Sequence, residues 1–499
     1  MKVLACATLA ALAAVLSVHA QPAATPCADL INLKLPHVTI SEASMVTAGS
    51  AYCKVLGSAH PTSDSNIRFE VVIPQTWNGR YLQVGNGGFA GTIPERAMLA
   101  PLALGYAVAG TDDGHQDTDG TNSSWALNHP EKVIDFGYRA LKETTDAAKA
   151  IIAANKGAAP RYSYFGGCSD GGREALMEAQ RYPNDFDGIV AGDPANHWTH
   201  LMAEFAFDYQ ALTETPGSYL PLEKLKAVGA EAVKQCGDED GVIEDPLACR
   251  FQPENLRCTA GDAPNCLTDA QVATLRKIYD GPKNPRTGEQ LIAGFSPGGE
   301  GEENGWGRWI TGSTADGKDS SFYKFAHSFF AYGVKADPNY DLHRLNFDTD
   351  IADADARIAP IFNSYNPDLS AFRAHGGKLI QYHGWADPAI PALDSVDYYR
   401  LVQKTMGPTV NFYRLFMAPG MLHCGGGPGP NVLATLPAIT EWVEQNRAPD
   451  AVIATKYRGN DATQPVERTR PLCAFPGRAE LLAKGDKAKA ESFRCVAPR

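Results

Sequence analysis

The chain has 499 residues, of which 44% are hydrophobic and 20% charged, with a formal net charge of -12 at pH 7. This is ordinary globular composition, with length for two or three domains. A pI near 5.5 argues against nucleic acid and anionic membrane surfaces as partners, and beyond Ala20 no apolar run approaches the roughly 18 to 20 residues that span a bilayer.

Met1 to Ala20 reads as a secretory signal, with Lys2 as its charge, Val3 to Val18 as its apolar stretch and Val18-His19-Ala20 as a small-residue cleavage site. A soluble, exported product is expected, extracellular or periplasmic. β-like runs follow at Ile67 to Ile73, Arg80 to Val84 and Gly105 to Gly110, then a helical pattern over Tyr138 to Ala154. That helix leads into a β-prone run, Tyr162 to Phe165, and then Gly166-Gly167-Cys168-Ser169-Asp170-Gly171-Gly172 and the helix formers Arg173 to Gln180. Strand, glycine turn and helix around a Gly-x-Ser-x-Gly pattern describe a nucleophile elbow, which exposes the serine hydroxyl at the end of a sheet. Phe186 to Gly192 is a further buried strand.

From about His200 strand signals thin out for roughly 170 residues, then resume at Lys378 to Gly384, with a helix near Tyr398 to Gln403 and a strand at Val410 to Phe416. Strands separated by helices predict a mainly parallel sheet covered on both faces, the α/β class. The expected organisation is one α/β domain, residues 21–200 and 375–499, interrupted by an inserted domain at 201–374 over the carboxyl ends of the strands, where α/β ligands bind.

Ten cysteines remain after the signal, an even set for an oxidising compartment. Proximity suggests Cys27 with Cys53, Cys236 with Cys249, Cys258 with Cys266 and Cys473 with Cys495, which leaves Cys168 and Cys424 to each other. Ten cysteines allow many pairings, and a metal site is the competing use; the absence of any CxxC pair counts against zinc.

A serine needs a base, and the base needs an orienting acid. In α/β hydrolases both follow the serine on loops after later strands. Asp387 comes three residues after the strand ending at Gly384, and His423 lies just beyond the strand ending near Phe416. Asp394 and Asp397, further into the helix, read as solvated acids, and His383 as a strand-end hydrogen-bonding group. A Cys168–Cys424 bond would force Ser169 and His423 together. For the oxyanion, the residue after the nucleophile, Asp170, offers one backbone N–H, and Gly87 or Gly88 in the Gly85 to Gly91 loop offers the other.

Cys168-Ser169, Asp387 and His423-Cys424 resemble the CS-D-HC motif of the tannase and feruloyl esterase family, a likeness that extends through Asp187 to Asn196 and the cysteine-rich insertion. It implies an α/β-hydrolase fold with a large lid domain, and a serine carboxylesterase acting on small aromatic esters, hydroxycinnamic or hydroxybenzoic, such as those attached to plant polysaccharide. A family member cleaves the terephthalate monoester of ethylene glycol. The resemblance also implies calcium in a loop between two bonded cysteines. Here the matching segment, Cys236 to Cys249, is about four residues shorter, and Asp238, Asp240 and the carbonyl of Val242 are the ligand candidates; a solvated acidic turn is the alternative.

No redox or organic cofactor is implied. Trp306, Trp309, Phe325, Phe329, Phe330 and Tyr332 offer aromatic surface for a planar acyl group, or else core. A substrate carboxylate calls for an arginine; between Trp309 and His343 there is none, with Arg308 just before that stretch the candidate, which counts against the terephthalate monoester. A silent phenolic-binding protein on the same fold is the rival of another class, and a peptidase shares the triad.

Overall fold

The computed structural model describes residues 24–238 and 240–497; the expected signal segment lies outside them. Nine strands form one sheet in the order β1-β2-β3-β5-β4-β6-β7-β8-β9. They are β1 (Val38–Val46), β2 (Tyr52–Ala59), β3 (Ile67–Pro74), β4 (Arg80–Val84), β5 (Ala107–Thr111), β6 (Tyr162–Cys168), β7 (Gly188–Gly192), β8 (Lys378–Gly384) and β9 (Tyr413–Ala418). The first three and β5 pair antiparallel, and from β5 onward every pairing is parallel. The α/β class is therefore as expected, with an antiparallel edge.

The parallel strands are buried end to end because helices cover both faces. On one face Ala147, Ile151, Leu176 and Val396 pack against Phe165, Ile189 and Leu379. On the other, Ile439 and Trp442 pack against Tyr164, Val190 and Ile380. Register then aligns the carboxyl ends: Cys168 stands opposite Gly192, Gly192 opposite Tyr382, and Gly384 opposite Ala418. The loops that leave β6, β7, β8 and β9 emerge side by side.

Between β7 and β8 the described residues form helices and turns with only isolated bridges, around a third apolar core that includes Trp198, Phe205, Trp306, Phe322 and Phe330. Phe89, Ala389 and Ile390 from sheet-end loops, with Phe136 from the helical turn Asp135–Arg139, join that core, so the helical segment is packed onto the carboxyl edge. Past β9 the chain adds a three-stranded sheet including Ala451–Tyr457 and Val466–Cys473, and a two-stranded ribbon. All five expected disulfides are present, including Cys168–Cys424 with its Cα atoms 5.9 Å apart across 256 residues of sequence.

Candidate active site

β6 ends at Cys168 and a helix begins at Asp170, so the whole reversal falls on Ser169, at φ 66 and ψ -123. A non-glycine residue held there is strained, of order 1–3 kcal/mol, and must be fixed by its surroundings. Gly167 makes the turn feasible: a Cβ on it would lie 2.5 Å from the Gly171 carbonyl oxygen. The Ser169 N–H donates to the Gly192 carbonyl at 3.0 Å, and its own carbonyl accepts from the N–H of Gly172, Arg173 and Ala195 at 3.0, 3.1 and 3.1 Å. Those bonds leave the side chain free to project from the sheet.

Asp387 follows β8 in a turn whose N–H groups hold it. Its Oδ1 accepts from Ala389 N–H at 2.7 Å and Ile390 N–H at 3.0 Å. Its Oδ2 faces His423 Nδ1 at 2.8 Å and His383 Nε2 at 3.2 Å. An ionised carboxylate only accepts, so His423 carries its proton on Nδ1 and presents Nε2 as the basic nitrogen. Burial opposes the imidazolium of His423, but the Asp387 carboxylate outweighs it and the pKa is raised above 6.5. Burial likewise opposes the Asp387 carboxylate; His423 and His383 outweigh it, and its pKa falls below 3.8.

Ser169 and His423 open into one cavity, whose other walls are Gly88, Asp170, Ala195, Trp198, Leu201, Met202, Phe205, Trp309, Phe325, Ala389 and Ile390. The Trp309 ring meets the His423 imidazole edge-on at 5.2 Å. Trp198, Leu201, Met202 and Phe205 lie at i, i+3, i+4 and i+7 of the helix Trp198–Thr213 and so form a single stripe. Among the described residues no Lys or Arg lines the cavity, and the one acidic residue there, Asp170, has its carboxyl fully buried against Arg173. The Trp198 indole N–H is buried without an acceptor. A larger cleft, near Arg400 and Phe475, contains none of Ser169, Asp387 and His423.

Of the two glycines expected at the oxyanion, Gly88 lines this cavity and Gly87 does not; the Gly87 N–H is taken by the Asn86 side chain at 3.1 Å. Gly88 sits at φ 59, and a Cβ there would fall 2.3 Å from the Gly120 carbonyl oxygen. As first residue of its helix, Asp170 has an N–H with no intrahelical acceptor.

Residues 53–496 match the family model for tannase and feruloyl esterase. The chain belongs to that family. It is 40% identical to an uncharacterized esterase of Xanthomonas campestris pv. campestris, over 98% of this chain and 94% of that one. A probable feruloyl esterase B-2 of Neosartorya fischeri is 32% identical, with 93% and 90% of the two chains covered. Feruloyl esterase B of Aspergillus oryzae superposes with a TM-score of 0.85 at 28% identity, covering 94% of this chain and 99% of that one. This member of the tannase and feruloyl esterase family is a carboxylic ester hydrolase.

The expected aromatic residues divide between core and cavity, and Arg308 and Asp394 depart from expectation. Trp306, Phe329 and Phe330 are core, each at most 1% exposed, while Trp309 and Phe325 reach the cavity and Tyr332 packs half-buried against the apolar core. Arg308 donates to Asn304 and stacks near Trp309 rather than lining the cavity. Asp394 is buried, with His197 Nδ1 3.6 Å away, and is not the solvated acid its place in a helix suggested; it lies on that helix's inner face.

In the Cys236–Cys249 loop, Asp240 pairs with Arg470 at 3.1 Å and Arg468 at 3.6 Å. Asp238 accepts from Asp240 N–H at 2.9 Å, and the Val242 carbonyl accepts from Asp238 N–H at 3.0 Å. Calcium takes six to eight oxygens, and these three groups are committed to protein donors. Among the described residues the places where three acidic, His or Cys side chains converge lie at the elbow and the triad, not in this loop. The described residues of the loop do not supply a calcium shell.

Proposed function

We propose that the protein is an exported serine esterase that cleaves uncharged aromatic esters, hydroxycinnamic or hydroxybenzoic, through an acyl-enzyme. The observation that carries this is the Asp387–His423 bond opening, with Ser169, onto an aromatic cavity without a cationic side chain. Ser169 attacks the ester carbonyl while His423 Nε2 takes its proton and passes it to the leaving alcohol, including a sugar of a plant polysaccharide. Asp387 stabilises the imidazolium. Asp170 and Gly88 N–H groups receive the oxyanion, and water then releases the acid by the same relay. Ten cysteines in five disulfides support an oxidising destination.

The terephthalate monoester is disfavoured, because its free carboxylate would enter the cavity with no cation to meet it. Turnover of methyl ferulate, methyl gallate and that monoester, measured side by side with fluorophosphonate labelling of Ser169, tests the reading. It fails if the wild type hydrolyses none of them or if Ser169→Ala still labels.

A further inference from the structure

We propose that Asp193, the first residue after β7, is a positioning residue of the catalytic centre whose single carboxylate ties the Asp387 loop to the His423 loop, in parallel with the Cys168–Cys424 disulfide. The inference rests on the serine-esterase reading. Asp193 is fully buried and held at φ 35, outside the usual range for a side-chain-bearing residue. Its Oδ1 accepts from Gly384 N–H at 2.8 Å and its Oδ2 from Cys424 N–H at 2.6 Å. Gly384 begins the turn to Asp387, and Cys424 follows His423. Its own N–H donates to the Tyr382 carbonyl at 2.9 Å.

The same turn grips the nucleophile, since Gly192 accepts from Ser169 N–H and Ala195 donates to the Ser169 carbonyl. Four consecutive residues, Gly192 to Ala195, therefore bind all three loops that carry the triad. Charge-assisted hydrogen bonds of this kind are roughly twice as strong as neutral ones, and here two meet on one buried group. The disulfide alone fixes the distance between Cys168 and Cys424 while leaving the loop free to rotate about it; the Asp193 bond to Cys424 N–H removes that freedom. Burial raises the Asp193 pKa to about 6, so above that pH Asp193 also brings a negative charge to the imidazoles. The titratable groups facing His423 are Asp387, Asp193 and His383, and both carboxylates favour its protonated form.

Asp193→Asn preserves shape but replaces one accepting oxygen with an amide that opposes an N–H. In the full-length enzyme it is expected to lower kcat about 10- to 100-fold with KM changed by less than about twofold, the scale of a catalytic group displaced by an ångström. The acid limb of its kcat/KM profile moves to lower pH, because His423 loses a neighbouring anion. Cys168→Ser/Cys424→Ser, still tethered by Asp193, keeps at least about a tenth of kcat, and adding Asp193→Asn to it costs more than Asp193→Asn costs alone. The inference is overturned if Asp193→Asn leaves kcat and the acid limb in place, if its loss tracks only the folded fraction, or if the folded double-serine variant is inactive. An inactive wild type would instead overturn the serine-esterase reading.

Discussion

His383 and His423 share one oxygen of Asp387, with His423 Nδ1 at 2.8 Å and His383 Nε2 at 3.2 Å from Oδ2. The acid is therefore oriented from two sides, and the second imidazole is anchored in turn by Ser395 Oγ at 2.7 Å and the Ile390 carbonyl at 3.1 Å. Asp387→Asn is expected to cut kcat by about 10⁴-fold, since an amide at Oδ2 favours the wrong His423 tautomer. His383→Gln, which can still donate to Asp387, is expected to cost far less. Steady-state kinetics on one ester decides between them.

The pH dependence follows in sign from the same contacts. Activity needs neutral His423, whose pKa is raised, so kcat/KM should fall with acid at a midpoint above 6.5. For stability, Asp387 is depressed below 3.8, so its contribution is present above that value and is lost as pH falls through the folded pKa. His423 contributes below 6.5, and its share is lost as pH rises through the folded value. The pair's ionic contribution is therefore full between about pH 4 and 6.5; comparing wild-type and Asp387→Asn unfolding across pH measures it.

Removing the Cys168–Cys424 bond opens a loop of 256 residues. On the chain-entropy model this costs stability, typically about 2–4 kcal/mol. A calorimetric comparison of wild type with Cys168→Ser/Cys424→Ser is expected to show a lower Tm for the variant.

The uncharged cavity sets selectivity. Neutral aromatic methyl esters should exceed the terephthalate monoester in kcat/KM by about 100-fold or more, because an unpaired buried carboxylate costs several kcal/mol. Trp198→Phe removes from the wall a buried indole N–H that has no acceptor. It should reduce kcat/KM for oxygen-substituted cinnamates about 5- to 10-fold, the range of one hydrogen bond, and spare methyl cinnamate.

Acidic side chains of the Cys236–Cys249 loop are paired with arginine. Chelator should leave Tm unchanged, while Arg470→Met, which strands Glu244 and leaves Asp240 with Arg468 alone, should lower stability by about 1–3 kcal/mol. Thermal melts with and without EDTA give the answer; a chelator-sensitive Tm would sink this account.

Ser169, Asp387 and His423 were legible because each follows an apolar run and falls on a short loop where the chain must turn. β4 and β8 run over the expected residues for the same reason. Asp193 carries no such signal: its partners Gly384 and Cys424 lie 191 and 231 residues away, so only the register of β6, β7, β8 and β9 reveals it. The C-terminal strands were silent because they lack a clean alternation of buried and exposed residues, as in Val466–Cys473, whose first half is exposed or half-buried and whose second half is buried throughout. Gly87 and Gly88 are indistinguishable by residue type, and the Asn86 side chain separates them. The Trp198, Leu201, Met202, Phe205 stripe was readable from its spacing, but a helical apolar stripe more often signals core than cavity.

That stripe divides the labour within the gene. Ser169, Asp387 and His423 lie on loops after β6, β8 and β9, while four of the cavity-lining side chains fall within eight consecutive codons on one helix. Selection can therefore re-cut the pocket by drift within one short segment while the bond-making residues stay fixed. A combinatorial library confined to positions 198, 201, 202 and 205 should yield enzymes of altered acyl preference that all retain fluorophosphonate reactivity at Ser169.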